Sequence, residues 1–165
     1  MQIEPRPGES VAREDFAAIV RLTPLVSIDL IIRETGGRIL LGRRVNEPAR
    51  GVYFVPGGRI TKNESRAQAF RRVCRNELGR ECSMEEARFL GTFDHIYPTN
   101  ALNLPGFGTH YVVLAFELVR PLDYWILPPD QHADFVWFTE AEILRHPEVH
   151  ENTKAYFRSL DPSHK

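Results

Sequence analysis

The segment FVPGGRITKNESRAQAFRRVCRNELGR, from Phe54 to Arg80, constrains this chain more than any other. Pro56-Gly57-Gly58 cannot continue a strand, since proline lacks a ladder donor and glycine suits a tight turn. The backbone must therefore turn there and expose polar groups. Ser65 to Leu78 then runs without proline or glycine, which predicts a helix with Ala69, Val73 and Leu78 facing a core. Glu64 precedes the helix and is placed to reach back toward Arg72. Arg72 and Glu77 are about 140° apart around a helix, so they do not stack. For a generic pattern, a glycine turn before a helix with a solvated charged face would suffice. The doubled glycine, the spacing and the closing Glu-Leu-Gly favour a functional loop-helix-loop instead.

Around this segment the chain reads as a single domain, 1–165, in which the Pro- and charge-rich stretch MQIEPRPGE at 1–9 is expected to be a flexible arm. With 42% hydrophobic and 26% charged residues, it can bury one full-sized core. A formal net charge of -1 gives no bulk attraction to nucleic acid or to an anionic membrane. Any anion binding must then rest on local basic clusters. Two cysteines, Cys74 and Cys82, cannot build a disulfide framework, and their spacing does not match a zinc knuckle. Reduced thiols suit a cytoplasmic compartment. The apolar runs are strand-sized, with no leader-like or spanning stretch expected.

The remaining pattern is mostly β. SVAREDFAAIVRLT predicts a short helix with Phe16, Ile19 and Val20 on one face, stopped before Pro24. LVSIDLIIR and RILLGRR flank a hairpin turn at ETGG; FLGTFDHIY, THYVVLAFELV and DFVWF are further strands rich in β-branched and aromatic residues. Loops are expected at PTNALNLPGFG and RPLDYWILPPDQHA, and closing helices at TEAEILRH and ENTKAYFRSL. Strands on either side of one strong central helix argue for an α/β sandwich over a βαβ series.

The spacing of Gly58, Glu64, Arg72, Glu77 and Gly79 resembles the Nudix box, the metal-binding loop-helix-loop of Nudix hydrolases. The box itself runs from Gly58 to Arg80, and the strand pattern extends the likeness over nearly the whole chain. Three positions depart from the usual box: Val73 and Asn76 stand where acids are usual, and Arg80 stands at the closing aliphatic position. That loss of acids is similar to the GDP-mannose mannosyl hydrolase branch. RRVNEPARGVYFVPGGR, DHIY and LPPDQHADFVWF resemble the same branch. The resemblance implies a Nudix-type α/β/α sandwich with a mixed β-sheet.

It also implies a site and a reaction. One magnesium ion per subunit, replaceable by manganese, would be held by the Gly57 carbonyl, the Glu77 carboxylate and the Gln131 side-chain oxygen. Water would attack the anomeric carbon of GDP-mannose, or GDP-glucose, with inversion, releasing GDP and the free hexose. His132 would be the general base, since a near-neutral imidazole accepts a proton at physiological pH. Arg59 and Arg72 would neutralise the departing diphosphate, with Arg44 a further phosphate contact within one subunit or across a homodimer. Tyr111 would donate to a phosphate oxygen. Asp29 and His95 would hold sugar hydroxyls or assist charge development, though structural hydrogen bonding in their strands is an equal expectation. Phe16 matches a position near the nucleotide, although a helix phenylalanine commonly packs in a core. Two other readings stand beside this one: a pyrophosphatase cutting the phosphoanhydride, and a non-catalytic nucleotide-sugar sensor.

Overall fold

Strand β1 (Leu25–Glu34) sits at the centre, and its alternation sets the layers. Ile28, Leu30 and Ile32 point to one face and Ile31 to the other, each fully buried. The computed structural model describes residues 6–125 and 135–158. After helix α1 (Arg13–Leu22) and β1 come β2 (Ile39–Arg43), β3 (Tyr53–Phe54), β4 (Gly57–Arg59) and helix α2 (Arg66–Leu78). Then follow β5 (Arg88–Tyr97), β6 (Thr109–Arg120), β7 (Phe135–Phe138), α3 (Glu140–Arg145) and α4 (Glu151–Arg158). The sheet runs β3-β2-β1-β6-β5, with β4 also on β1 and β7 also on β2. β1 and β6 are parallel, from Leu25 against Tyr111 to Glu34 against Arg120. The other pairs are antiparallel, so the sheet is mixed.

On one face α2 lays Ala69, Phe70, Val73, Cys74 and Leu78 against Ile28, Leu30 and Ile32. On the other, Ile143 of α3 and Tyr156 and Phe157 of α4 cover Ile31, Ile39 and Leu41. The result is the expected α/β/α sandwich. Helix α2 begins where the Ser65 hydroxyl accepts from Gln68 N–H while the Gln68 side chain accepts from Ser65 N–H, a reciprocal cap. It stops at Gly79, which takes the left-handed conformation (φ 67°) that glycine adopts without strain.

Two local expectations change. Pro56-Gly57-Gly58, expected to turn, instead leads straight into the strand β4, where Gly57 and Gly58 pair with Asp29 and Ile28 of β1 and neither glycine takes a positive φ, because the chain at Val55-Pro56 only leaves β2 for a new partner, β1. On α1 only Val20 is buried, and Ile19 is 38% exposed: one residue apart, the two point about 100° from each other around the helix. In the stretch expected to be an arm, residues 6–9 are exposed, and Gly8 N–H donates to Thr61 Oγ1 at 2.7 Å beside the aliphatic stem of Arg72. The PTNALNLPGFG loop is organised by one buried side chain. Asn100 Nδ2 donates to the carbonyls of Leu104 and Phe107, and its Oδ1 accepts from Leu102 and Leu104 N–H. Among the described residues no helix is long and apolar enough to cross a membrane.

Candidate active site

One end of the sheet carries a cluster of polar side chains, and the topology explains why. The starts of β1 and β6 align because the two strands are parallel, and the end of the antiparallel β5 comes beside them. Ser27 and Asp29 on β1, His95 and Tyr97 on β5, and Tyr111 on β6 are thereby brought to one cavity of about 120 Å³. The register places Asp29 opposite Gly57 and His95 opposite Tyr111. Arg44, Gly57 and Arg59 complete the polar wall. The sequence-predicted residues Asp29, His95, Arg44, Arg59, Tyr111 and Gly57 are thus gathered in one place.

A second depression adjoins the first and shares Arg44, Phe54, Val55 and Gly57 with it. Glu77 and Asn76 from the end of α2 line this side. Glu77 and the backbone at Gly57 offer oxygen donors to the same space, the chemistry that a hard divalent cation such as magnesium or manganese takes. The residues present therefore fit such an ion. Val73, at one position where the box usually has an acid, is 1% exposed and packs under Gly58. A Cβ on Gly58 would lie 3.0 Å from Val73 Cγ2, so α2 and β4 are in close contact. Gln131 and His132 lie outside the described residues.

Arg72 takes another direction. Its Nε donates to Glu64 Oε1 at 2.6 Å, and one terminal nitrogen donates to Glu64 Oε2 at 2.8 Å and to the Arg59 carbonyl at 2.6 Å. Glu64 Oε2 also accepts from the N–H and hydroxyl of Thr61. Only 2% of the Glu64 side chain is exposed. Burial works to raise the Glu64 pKa, but the Arg72 and Thr61 hydrogen bonds hold it below the ordinary value. This clamp fixes the loop that presents Arg59. Arg59 in turn lies with its guanidinium 4.2 Å from the Phe16 ring centre, so Phe16 is a platform for that arginine and not core. Arg44 sits 5.2 Å over the Phe54 ring, which is stacked at 4.6 Å on His150.

The floor of the cavity has the opposite electrostatics. Burial pushes the Asp29 carboxyl up to about 6; the Tyr156 hydrogen bond and the Arg44 charge oppose this, and Glu77 adds to it. His95, 4% exposed, is pushed down to about 4 by burial and by His150. It is therefore neutral near pH 7. The Tyr156 hydroxyl donates to Asp29 Oδ2 at 2.5 Å and lies 3.3 Å from His95 Nε2. Tyr97 and Tyr111 are both held above the ordinary tyrosine range by burial.

Sequence reading did not single out Tyr156, Tyr97 or His150. Tyr156 lies in the segment read as a closing helix, where an aromatic residue signals only packing. The usable signal was chemical: a buried tyrosine hydroxyl needs a polar partner.

The model of the NUDIX domain matches residues 23–159, and the chain belongs to that family. The low-salt glycan biosynthesis protein Agl8 of Haloferax volcanii is 41% identical over 158 residues, covering 94% of each chain. Among solved structures, the MutT protein from Methanosarcina mazei Go1 matches with a TM-score of 0.65 at 20% identity, over 86% of this chain and 96% of its own. The MutT NUDIX hydrolase from Burkholderia pseudomallei matches with a TM-score of 0.64 at 27% identity, over 84% of this chain and 99% of its own. The structural neighbours bear out the sandwich expected from the sequence.

Proposed function

We propose that the protein is a hydrolase of a GDP-sugar, GDP-mannose or GDP-glucose, releasing GDP and the free hexose by attack of water at the anomeric carbon. The observation that carries this reading is the division of the site into two unlike compartments. One holds Glu77, Arg44 and the start of β4 and suits a diphosphate. The other has Asp29 and His95 on its floor, which suit the hydroxyls and ring of a neutral sugar, while Arg44, Arg59 and Tyr111 on its wall suit phosphate oxygens. A site built for attack at phosphorus has less use for a carboxylate poised between charged and neutral on the sugar side. Family membership supports hydrolysis of a nucleoside diphosphate derivative, and the glycan-related description of the Haloferax protein supports a sugar as the second half.

Within this reading Arg44 and Arg59 would face the diphosphate, since guanidinium forks match phosphate oxygens and stay charged. Tyr111 would donate to a phosphate oxygen. Asp29, when ionised, would stabilise positive charge developing at the anomeric carbon, and His95 would accept or donate to a sugar hydroxyl. His132 would take the proton of the attacking water. The Gly57 carbonyl, Glu77 and Gln131 would hold one divalent cation. Bound there, the cation would neutralise charge on the leaving diphosphate. Arg72 would act through Glu64 to hold the Arg59 loop. A homodimer and a cytoplasmic setting belong to the same reading, the latter in keeping with the free, buried thiols of Cys74 and Cys82.

Chromatography of the products from GDP-mannose and magnesium decides among the alternatives. GDP with free mannose is the expected outcome. GMP with mannose phosphate would instead establish a pyrophosphatase, and tight binding without turnover a sensor. The His132→Ala variant should lose roughly 10²–10⁴ in kcat, the range for a missing general base.

A further inference from the structure

We propose that Tyr156 is a positioning residue of this site: it holds the Asp29 carboxylate and fixes which nitrogen of His95 carries the proton. The proposal rests on the reading above for what Asp29 and His95 face, but the geometry of the three residues stands apart from any substrate. Asp29, His95 and Tyr156 come from β1, β5 and α4; β6 lies between the two strands in the sheet, and the Tyr156 hydroxyl is within hydrogen-bond reach of both side chains.

Tyr156 is 1% exposed and its ring meets Phe93 edge-on, with centroids 4.7 Å apart. The ring is anchored by apolar packing, which leaves the hydroxyl between the two site residues. A phenol has one proton to give and lone pairs to receive with. An ionised carboxylate can only accept, so the Tyr156 proton goes to Asp29 Oδ2. The tyrosine oxygen is then an acceptor toward His95 Nε2 at 3.3 Å. A neutral imidazole carries a single N–H, so that proton belongs on Nε2 and Nδ1 remains a bare acceptor. The chain of donors thus runs from His95 to Tyr156 to Asp29.

The other carboxylate oxygen is bounded from the opposite side. Asp29 Oδ1 occupies the space that a Cβ on Gly57 would fill, so the carboxylate can lie against β4 only because that residue is glycine. The start of α4 is itself fastened to β3. Tyr53 N–H donates to the Glu148 carbonyl, His150 N–H donates to the Tyr53 carbonyl, and Tyr53 bridges Val149. The closing helix is therefore part of the site's framework and not only a cover for the core.

The test uses the full chain at pH 8 with ¹⁵N-labelled histidine and, for kinetics, GDP-mannose with magnesium. Wild type should show His95 as a single Nε2–H tautomer. Tyr156→Phe keeps the ring and removes the hydroxyl. It should lose that fixed tautomer, lower kcat by about 10- to 100-fold and leave KM within about twofold, as expected when a hydrogen bond to a charged group is removed. An Nδ1–H tautomer in wild type overturns the proposal, and so does a folded Tyr156→Phe with kcat within about twofold of wild type. The tautomer is read without turnover, so an Nδ1–H result overturns the proposal even if the variant does not fold or the substrate is another nucleotide. Cleavage to GMP would count against the GDP-sugar reaction and leave this result standing.

Discussion

The Glu64–Arg72 clamp and the Asp29–Tyr156–His95 floor are two ways of holding a carboxylate at one site. In the clamp, a planar guanidinium meets a buried carboxylate with two hydrogen bonds, and the acid stays ionised. In the floor, the donor is a neutral phenol, and burial raises the acid to about 6, so its charge is held less firmly than that of Glu64. The first arrangement favours rigidity. The second keeps a charge that responds to what binds. In the proposed reading Asp29 therefore belongs with the chemistry, and Glu64 with the scaffold that presents it.

The largest effect that would sharpen this contrast is expected for Asp29→Asn. Loss of a charge that stabilises the transition state should lower kcat by about 10²–10³. The same change should raise the melting temperature at pH 8. Because burial raises Asp29 to about 6, its contribution to stability is complete below the ordinary value of 3.8 and is lost as pH rises through about 6. Asparagine avoids that loss, so the stability gain should fade as the pH is taken below about 4. Melting curves on both proteins from pH 4 to pH 8 measure it.

The clamp should behave in the opposite sense. Removing one partner of a buried pair costs up to about 3 kcal/mol, so Arg72→Met should melt well below wild type. The kcat of its folded fraction should fall less than in Asp29→Asn. Glu64 has a lowered pKa, so its contribution is present above the ordinary value of 4.5 and is lost as pH falls through the folded value. Acidification should thus narrow the gap between Arg72→Met and wild type. An Arg72→Met variant with normal stability and a collapsed kcat would erase the distinction drawn between the two regions. Chemical denaturation beside steady-state kinetics on the same samples separates these outcomes.

How well each region could be read from sequence follows from how far apart its parts lie. The clamp spans Glu64 to Arg72, within one turn and one helix, so local spacing carries it. Helix α2 was legible for the same reason, whereas the turn expected at Pro56-Gly57-Gly58 is the strand β4, because its pairing partner β1 lies nearly thirty positions earlier in the chain. The floor draws on positions 29, 95 and 156, and no spacing rule links a strand aspartate to a tyrosine on the closing helix. Asp29 and His95 were visible only by resemblance, and Tyr156 not at all. The sheet order was likewise hidden, because the parallel pairing of β1 with β6 depends on a crossover that hydrophobic alternation does not encode. Gly8 shows the same limit at the edge, where its contact with Thr61 depends on what lies beside it in space.

The smallest effect concerns the platform under Arg59. Phe16→Leu keeps an apolar side chain but removes the ring face, at an expected cost of about 0.5–1 kcal/mol. It should appear as a rise in KM of no more than about fivefold at unchanged kcat. A large fall in kcat would mean that α1 takes part in the chemistry and not only in holding an arginine.

The central claim is attack at carbon on the floor side of the cavity, and hydrolysis of GDP-α-D-mannose in ¹⁸O-labelled water tests it most directly. Mass spectrometry should find the label in mannose and none in GDP, and proton NMR during the first turnovers should show the β-anomer, as direct displacement demands. Label in a phosphate group, or an initial α-anomer, would contradict the account.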